Sequence, residues 1–241
     1  MAKHGTERVA VIAGAGPGNG AAIARRLAQE GFALGLLARS GGYPGQLAAE
    51  LRAAGARALE CTADLSDAGE VTQAFARIRE KLGAPEVLVQ NAALMARGPF
   101  LEVPPEQFEN AFRVSVMGMV HCCRAVLPEM VARGRGAVIV IGATGAMRGA
   151  AGFAPFAVGK FGQRALAQAL AREFGPKGVH VAHVIVDGVI ETPTTRKWFP
   201  EQERGFFLQP EHIAETVWHL IGQSPSAWSH EIDLRPFGER F

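Results

Sequence analysis

Cysteine, tyrosine and net charge are all scarce in this sequence of 241 residues. Its three cysteines, Cys61, Cys122 and Cys123, form neither a disulfide framework nor a metal-ligand spacing, so we expect buried, small apolar residues and no bound metal. The formal net charge of +2 is too small to favour binding to nucleic acid or to an anionic membrane surface. These absences argue against metal-centred and nucleic-acid-binding functions.

Long apolar runs are missing as well. The polar first eight residues lead into an apolar segment of about five residues, which is shorter than a signal peptide requires. No run approaches the ~20 apolar residues of a membrane-spanning helix. We therefore expect a cytoplasmic protein that does not enter a membrane.

Apolar residues and glycine, by contrast, are abundant, at 48% and 29 residues. Short apolar segments that predict strands alternate with segments of helical composition and spacing. Strands are predicted at 9–13, 34–38, 58–63, 87–90, 137–141, 179–186 and 231–234, and helices at 21–30, 46–54, 71–82, 106–130, 159–174 and 211–221. This order predicts an α/β fold in a single domain spanning 1–241, a doubly wound parallel sheet of about seven strands with helices on both faces.

Residues 188–209 interrupt the alternation. They include two prolines and aromatic residues that we expect to be exposed, namely Trp198, Phe199, Phe206 and Phe207. A long segment without regular structure in such a fold is often functional. We expect it to be irregular and mobile, to cover a site, and to favour an apolar or aromatic small-molecule substrate.

The first predicted strand ends in a glycine-rich turn that opens the first predicted helix. The candidate phosphate-binding residues in this turn are Gly14, Gly16, Pro17, Gly18, Asn19 and Gly20. Glycine takes the backbone angles of a tight turn cheaply and lets a pyrophosphate approach bare amides at a helix N-terminus. In this strand–turn–helix context the pattern predicts the dinucleotide site of a Rossmann fold.

The spacing Gly14-x-x-x-Gly18-x-Gly20 resembles that of the short-chain dehydrogenase/reductase family, and the similarity extends over nearly the whole chain. Three further motifs carry it: Asp64-Leu65 after the third strand, Gln90-Asn91-Ala92-Ala93 at the end of the fourth, and Gly188, Ile190 and Thr192 after the sixth. The resemblance implies that Asp64 and Leu65 contact adenine. It also implies that Asn91, Ala92 and Ala93 line the cofactor, and that Gly188, Ile190 and Thr192 lie at the nicotinamide.

The end of the second strand bears on the choice between NADP(H) and NAD(H). NAD-dependent enzymes of this fold usually place an acidic residue there, to bind the ribose hydroxyls. This sequence has Arg39 and Ser40 instead, which can bind a 2′-phosphate. The sequence therefore favours NADP(H) over NAD(H), with the alternative that Arg39 is only a solvated surface residue.

The family resemblance implies a catalytic tyrosine, a lysine four residues later, a serine and an asparagine. In this sequence those positions fall on Phe156, Lys160, Ala143 and Ser115. Phenylalanine has no proton to donate, so only the lysine is kept in kind. Thr144 is a candidate substitute that could donate a hydrogen bond to the substrate.

Other residues near these positions have simpler interpretations. The only tyrosine, Tyr43, is predicted far from this position, near the adenosine end of the cofactor. Asp187, just before Gly188, is either a turn-capping residue or part of the site. Phe156 is expected to line the substrate pocket, and Lys160 to hold the nicotinamide ribose.

Two classes of function remain open. The first is an NADP(H)-dependent oxidoreductase with a degenerate catalytic tetrad, which reduces an activated C=C, C=N or C=O bond with a proton from a source other than tyrosine. The second is a non-catalytic NADP(H)-binding sensor, scaffold or partner protein; a redox-neutral lyase or isomerase is a third alternative, since fold does not fix chemistry. The family resemblance also implies a homodimer or homotetramer, formed through residues 106–130 and 159–174. We expect three aromatic residues near the C-terminus to contribute to it: Trp228, Phe237 and Phe241.

Overall fold

Seven parallel strands form the central sheet of the computed structural model, which describes residues 8–238. They are β1 (Val9–Ala13), β2 (Ala33–Ala38), β3 (Ala58–Thr62), β4 (Val87–Gln90), β5 (Gly136–Ile141), β6 (Val179–Val186) and β9 (Glu231–Leu234). Their order across the sheet is β3-β2-β1-β4-β5-β6-β9, and each neighbouring pair is parallel. The predicted seven-stranded, doubly wound sheet is confirmed.

Helices follow the strands and cover both faces of the sheet. They are α1 (Asn19–Gln29), α2 (Gly42–Ala53), α3 (Ala68–Lys81), α4 (Pro105–Phe112), α5 (Gly118–Ala132), α6 (Ala154–Phe174), α7 (Pro193–Trp198) and α8 (Pro210–Ile221). One face of the sheet packs on α1, α2 and α8, where Ile12, Leu27 and Leu47 share an apolar cluster. The other face packs on α3, α5 and α6 around Val11 and Phe75. Strands buried on both faces need apolar side chains at successive positions, which explains their continuous apolar runs.

The three cysteines are free and buried in the second of these clusters. Their burial confirms the expectation that they act as small apolar residues. Burial raises the pKa of Cys123 to about 12, so its thiol is not ionised at neutral pH.

The long helix predicted over 106–130 contains a π-helical turn, Arg113–Met117, between α4 and α5. By length and composition alone, the continuous run Pro105–Ala132 could cross a membrane. Met119, Cys122 and Val126 of α5 are buried against the sheet, however. A position in the protein core therefore accounts for its apolar composition.

Helix α6 begins at Ala154, five residues before its predicted start at residue 159. Proline is favoured in the first turn of a helix, and Pro155 occupies that turn. The earlier start places Phe156 and Lys160 on one helix, four residues and about one turn apart.

The expectation that residues 188–209 are irregular was wrong. The segment contains β7 (Val189–Ile190) and β8 (Phe207–Leu208), which pair in parallel, as well as α7. Thr192 begins α7 with a capping box, in which its side chain accepts from the Thr195 amide and Thr195 accepts from the Thr192 amide. Exposure of the aromatic residues was predicted correctly for Trp198, which is 50% exposed, but not for Phe207, which is 3% exposed.

Candidate active site

The candidate site lies at the edge of the sheet where the carboxyl ends of β1, β4, β5 and β6 meet. The chain runs outward from β1 to β2 and β3 on one side and from β4 onward on the other, so the strand order reverses between β1 and β4. Parallel α/β sheets bind ligands in the crevice at such a reversal. The glycine-rich turn after β1 and the residues after β4 border this crevice.

The glycine-rich turn packs closely against the chain that follows β4. Gly14 has a φ of +98°, and a Cβ added there would lie 2.7 Å from the amide nitrogen of Ala92. A Cβ added at Gly20 would lie 2.4 Å from the carbonyl oxygen of Gly14. The Asn91 side chain donates a hydrogen bond of 2.8 Å to that same oxygen. Glycine is therefore required at Gly14 and Gly20 by contact and not only by turn geometry.

The N-terminus of α1 opens towards this crevice. Gly18 is the N-cap residue and supplies no side-chain hydrogen bond to the first turn. The Oδ1 atom of Asn19 is buried and has no hydrogen-bond partner within residues 8–238. A Cβ added at Gly18 would lie 2.9 Å from Cγ2 of Thr192, so the start of α7 reaches the turn. Gly16 and Pro17 have more open surroundings, and Pro17 is exposed.

The carboxyl ends of β2 and β3 carry the residues predicted to bind adenosine. Arg39 and Ser40 are exposed. Hydrogen bonds from the side chain and amide of Ser66 hold the pKa of Asp64 below its usual range, and the positive charge of Arg39 adds to this effect. Leu65 is buried and packs towards α5.

Ala93, Gly188 and Ile190 are the remaining predicted cofactor residues. Ala93 and Ile190 are half-buried after β4 and in β7. Gly188 has a φ of +158°, and a Cβ added there would lie 2.8 Å from Cδ of Pro236. The segment after β6 is therefore held against the end of the chain that follows β9.

Lys160 is almost completely buried, at 4% exposure, on the face of α6 that meets β5. Its Nζ donates a hydrogen bond of 2.7 Å to the carbonyl oxygen of Ile141. Burial lowers the pKa of Lys160 to about 7. The amine can therefore gain or lose a proton near neutral pH.

The titration of Lys160 predicts a pH-dependent stability. Its folded pKa lies below its unfolded value, so between about pH 7 and pH 10.5 the unfolded chain binds more protons at this group. Stability then rises with pH across this window, and the destabilisation by the buried charge is complete below about pH 7. In the absence of nucleotide, the free energy of unfolding of the natural protein should rise relative to that of Lys160→Met. The expected rise is about 1.4 kcal/mol per pH unit. Denaturant unfolding of both proteins between pH 7 and pH 9.5 measures this gain, and a constant difference would contradict it.

Phe156 lies beside Lys160 and the loop after β5. The Lys160 Nζ is 6.0 Å from the centre of the Phe156 ring. A Cβ added at Gly145 would lie 2.9 Å from Cε1 of that ring. The ring thus closes one side of the site with apolar surface, between α6 and the short turn Thr144–Ala146.

Ala143 and Ser115 contribute little polar surface to the crevice. Ala143 is half-buried just before the Thr144–Ala146 turn and has no polar side chain. Ser115 lies in the π-helical turn with 1% exposure, and its Oγ is 3.4 Å from the amide of Leu94. The Gln163 side chain donates to the carbonyl oxygens of Ser115 and Ala92, at 3.0 and 3.1 Å. Ser115 therefore lies in packed, hydrogen-bonded surroundings between the π-helical turn and α6.

Thr144 makes a contact that the sequence did not reveal. Its hydroxyl donates a hydrogen bond of 2.5 Å to Oδ1 of Asp187, so it is not free to donate to a substrate, contrary to the prediction from the sequence. Asp187 is 1% exposed and also faces Arg148 and Arg235. The hydrogen bonds that Asp187 accepts come from the side chains of other elements, namely Thr144 and Arg148. Residues so far apart in sequence leave no local pattern by which this group could be found.

The comparisons with known proteins agree with this architecture. The family described as short chain dehydrogenase matches residues 8–203. The chain is 35% identical over 238 residues to a short-chain dehydrogenase/reductase of Armillaria gallica, covering 91% of this chain and 90% of that protein. It is 32% identical over 234 residues to 2-(R)-hydroxypropyl-CoM dehydrogenase of Xanthobacter autotrophicus, covering 90% of this chain and 92% of that protein.

A solved structure is similar over nearly the full length. An alcohol dehydrogenase of the archaeon Thermococcus sibiricus, in complex with 5-hydroxy-NADP, matches with a TM-score of 0.87 and 29% identity. The match covers 97% of this chain and 98% of that one. The two chains therefore share the fold over almost all of their length.

Proposed function

Because this chain belongs to the short-chain dehydrogenase family of oxidoreductases, we propose that it binds NADP(H) and transfers hydride between this cofactor and a small apolar or aromatic substrate. The reacting bond is an activated C=C, C=N or C=O bond, and its proton comes from a source other than tyrosine. One observation carries the proposal: a cradle for a dinucleotide, built around Gly14, Gly20 and Asn91, stands at the same sheet edge as a buried Lys160 beside Phe156.

The residues present fit a dinucleotide. The close packing at Gly14 and Gly20 leaves no room for side chains, and the N-cap of α1 leaves its amides free of side-chain acceptors. The unpartnered Oδ1 of Asn19 is a further polar atom that a ligand can satisfy. The proposed binding residues are Gly14, Gly16, Pro17, Gly18, Asn19, Gly20, Arg39, Ser40, Asp64, Leu65, Asn91, Ala92, Ala93, Lys160, Gly188, Ile190 and Thr192. NADP(H) supplies or accepts the hydride when bound.

The end of β2 supports NADP(H) rather than NAD(H). Arg39 is exposed there, and no carboxylate in residues 36–40 would repel a 2′-phosphate. The Thermococcus alcohol dehydrogenase, which was solved with an NADP derivative, agrees with this choice. Arg39 and Ser40 would hold the phosphate by charge-assisted hydrogen bonds.

Replacing Arg39 should therefore change cofactor preference. Arg39→Ala is expected to weaken NADPH binding by roughly 10-fold to 100-fold, the usual cost of losing a charged hydrogen bond, while NADH binding changes little. Fluorescence titration with both nucleotides measures the ratio. Arg135→Ala, at an exposed residue before β5 on the opposite sheet edge, is the matched control. An equal loss of NADH and NADPH affinity would show that Arg39 does not bind the 2′-phosphate.

The residues at the catalytic positions leave the site without the tyrosine that supplies the proton in the family. Phe156 excludes water from the side of the site it covers and has no proton to transfer. Lys160 carries a titratable amine at 2.7 Å from the Ile141 carbonyl oxygen, and it is the one ionisable group kept from the family's catalytic set. Ala143 and Ser115 do not replace the missing acid. In this proposal Lys160 holds the cofactor ribose, and the proton enters from solvent or from the substrate.

The direct test is turnover. NADPH absorbance is followed in the presence of separate panels of ketones, enones and cyclic imines, and at least one panel should be consumed. Turnover of none of them, together with tight NADPH binding, would favour the non-catalytic sensor, scaffold or partner. Absence of NADPH binding would overturn the cofactor assignment itself.

We also propose a cytoplasmic homodimer or homotetramer that pairs through α4, α5 and α6. Phe112, Val158 and Phe161 are exposed apolar residues on these helices, which supports an interface there. Of the C-terminal aromatic residues, Trp228 stacks on His180 within the chain, and Phe237 is 98% exposed. Phe241 lies outside the described residues.

A further inference from the structure

The buried Asp187 carboxylate is surrounded by hydrogen-bond donors. Thr144 Oγ1 lies 2.5 Å from its Oδ1. Arg148 approaches both oxygens, with Nη2 at 3.3 Å from Oδ1 and Nη1 at 3.4 Å from Oδ2. Arg235 Nε lies 3.4 Å from Oδ2. A carboxylate between two guanidinium groups accepts hydrogen bonds and does not donate them.

This arrangement fixes the direction of the Thr144 hydroxyl. A hydroxyl has one hydrogen and two acceptor lone pairs. Because its hydrogen is directed at Asp187, Thr144 can offer only lone pairs to any other group. Thr144 is therefore a hydrogen-bond acceptor at this site, held in that role by Asp187.

Thr144 stands where the reacting group of a substrate is expected. It begins the short turn directly after Ala143, and the next residue, Gly145, contacts the Phe156 ring. Asp187 directly follows β6 and precedes Gly188. Among the neighbouring groups, Phe156 and Ala143 have no polar side-chain atom to donate to an acceptor, and Lys160 donates to the Ile141 carbonyl oxygen and, in the proposed function, to the cofactor ribose.

We propose that Thr144 and Asp187 select substrates that carry a hydrogen-bond donor at the reacting carbon, that is, a hydroxyl group or a protonated nitrogen. The inference rests on the proposed function and narrows it. Alcohols and protonated amines or imines fit this polarity, because each donates to the Thr144 oxygen. A ketone oxygen placed there meets another acceptor, and the C=C substrates have no donor to offer. Thr144 is then the residue that contacts substrate, and Asp187 is a positioning residue.

The test uses three probes built on the same six-membered carbon ring that cannot react in the presence of NADP⁺. They are 1-methylcyclohexanol and 1-methylcyclohexylamine, which have no hydrogen on the substituted carbon, and cyclohexanone, which is already oxidised. Dissociation constants for the NADP⁺-loaded protein are measured by ligand-observed NMR. The alcohol and the ammonium should bind roughly 10-fold or more tightly than the ketone, since one buried unpaired polar group costs about that much. Because 1-methylcyclohexanol is a neutral donor, its tight binding would show that hydrogen-bond direction, and not positive charge, sets the preference.

Three variants test the assigned roles. Asp187→Asn places an amide donor beside Thr144 and frees its hydrogen, so the preference should fall to within about 3-fold or reverse in favour of cyclohexanone. Thr144→Val, of similar shape, should abolish the preference without touching the carboxylate, and Thr144→Ser should keep it. A purely structural role would lower the affinity for all three probes together and leave their ratio unchanged.

The outcomes separate this inference from the proposed function. NADP⁺ affinity is measured for every protein, and its absence in the natural protein would overturn the cofactor assignment. With NADP⁺ bound, three results would overturn the donor proposal: cyclohexanone binding as tightly as the alcohol, no binding of any probe, or an unchanged preference in Thr144→Val.

Discussion

The Phe156→Tyr variant is expected to reduce cyclohexanone with NADPH at least ~100-fold faster than the natural protein, because general acid catalysis contributes about that much or more. Phe156 lies one helical turn before Lys160, whose Nζ is 6.0 Å from the centre of the ring. A tyrosine hydroxyl would extend from the ring and supply the hydrogen that an incoming carbonyl oxygen lacks. A protonated Lys160 nearby would favour the ionised phenol and lower its pKa. The rate of NADPH consumption measures the gain.

Phe156→Leu is the control, since it removes the ring without adding a proton donor and should show no gain. NADPH affinity is measured in both variants to show that the cofactor site is intact. If Phe156→Tyr binds NADPH but does not accelerate, Ala143→Ser is added to it to restore a second hydroxyl. A double variant that is still inactive would contradict the view that only the acid–base groups of the site have changed.

Gly20→Ala is expected to abolish measurable NADPH binding, with a loss of at least ~100-fold, and to destabilise the fold by about 1–3 kcal/mol. The added Cβ would lie 2.4 Å from the Gly14 carbonyl oxygen and 3.1 Å from Cα of Ala15. Both are backbone atoms of the turn itself, so relief requires the turn to move away from Asn91. The better helix propensity of alanine offsets the cost by about 1 kcal/mol at most. Nucleotide titration and denaturant unfolding give the two values.

The matched control for this variant is Gly45→Ala, in α2 and outside the proposed binding residues. A Cβ added at Gly45 meets nothing within 4 Å, and its φ is not positive. This variant should keep its stability and its NADPH affinity. If Gly20→Ala behaved in the same way, the close packing of the turn would not be what shapes the nucleotide site.

The sheet could be predicted from the sequence because its strands are buried on both faces. Such strands need mostly apolar residues, and the strands at 87–90 and 179–186, which are buried at every position, have the predicted bounds. The start of α6 was placed too late because a proline and a phenylalanine in its first turn have little helical signal in isolation. The pairing of β7 with β8 was missed because strands of two residues have no periodicity to read.

The candidate site also has one part that the sequence predicts and another part that it does not. The glycine-rich turn is local, and its spacing alone identifies Gly14, Gly18 and Gly20. The contact between Thr144 and Asp187 joins residues 43 positions apart, and Arg235 comes from beyond β9. Only the sheet brings the ends of β5, β6 and β9 side by side. No pattern in the sequence marks such a group, and the direction of the Thr144 hydrogen bond depends on all of it.

The π-helical turn between α4 and α5 constrains how this chain can change in length. Such a turn accommodates one residue more than an α-helical path would need. Here α4 packs mainly on α6, whereas α5 packs on the sheet and α3. The two halves of this continuous helix, α4 and α5, therefore use different faces for their contacts. Removing one residue from Arg113–Met117 would leave the residue count of a regular α-helix and keep the faces of both halves, whereas inserting one would turn one half by about 100° relative to the other. The chain can therefore become one residue shorter in this stretch, but it cannot become longer without disturbing the packing of α4 or α5.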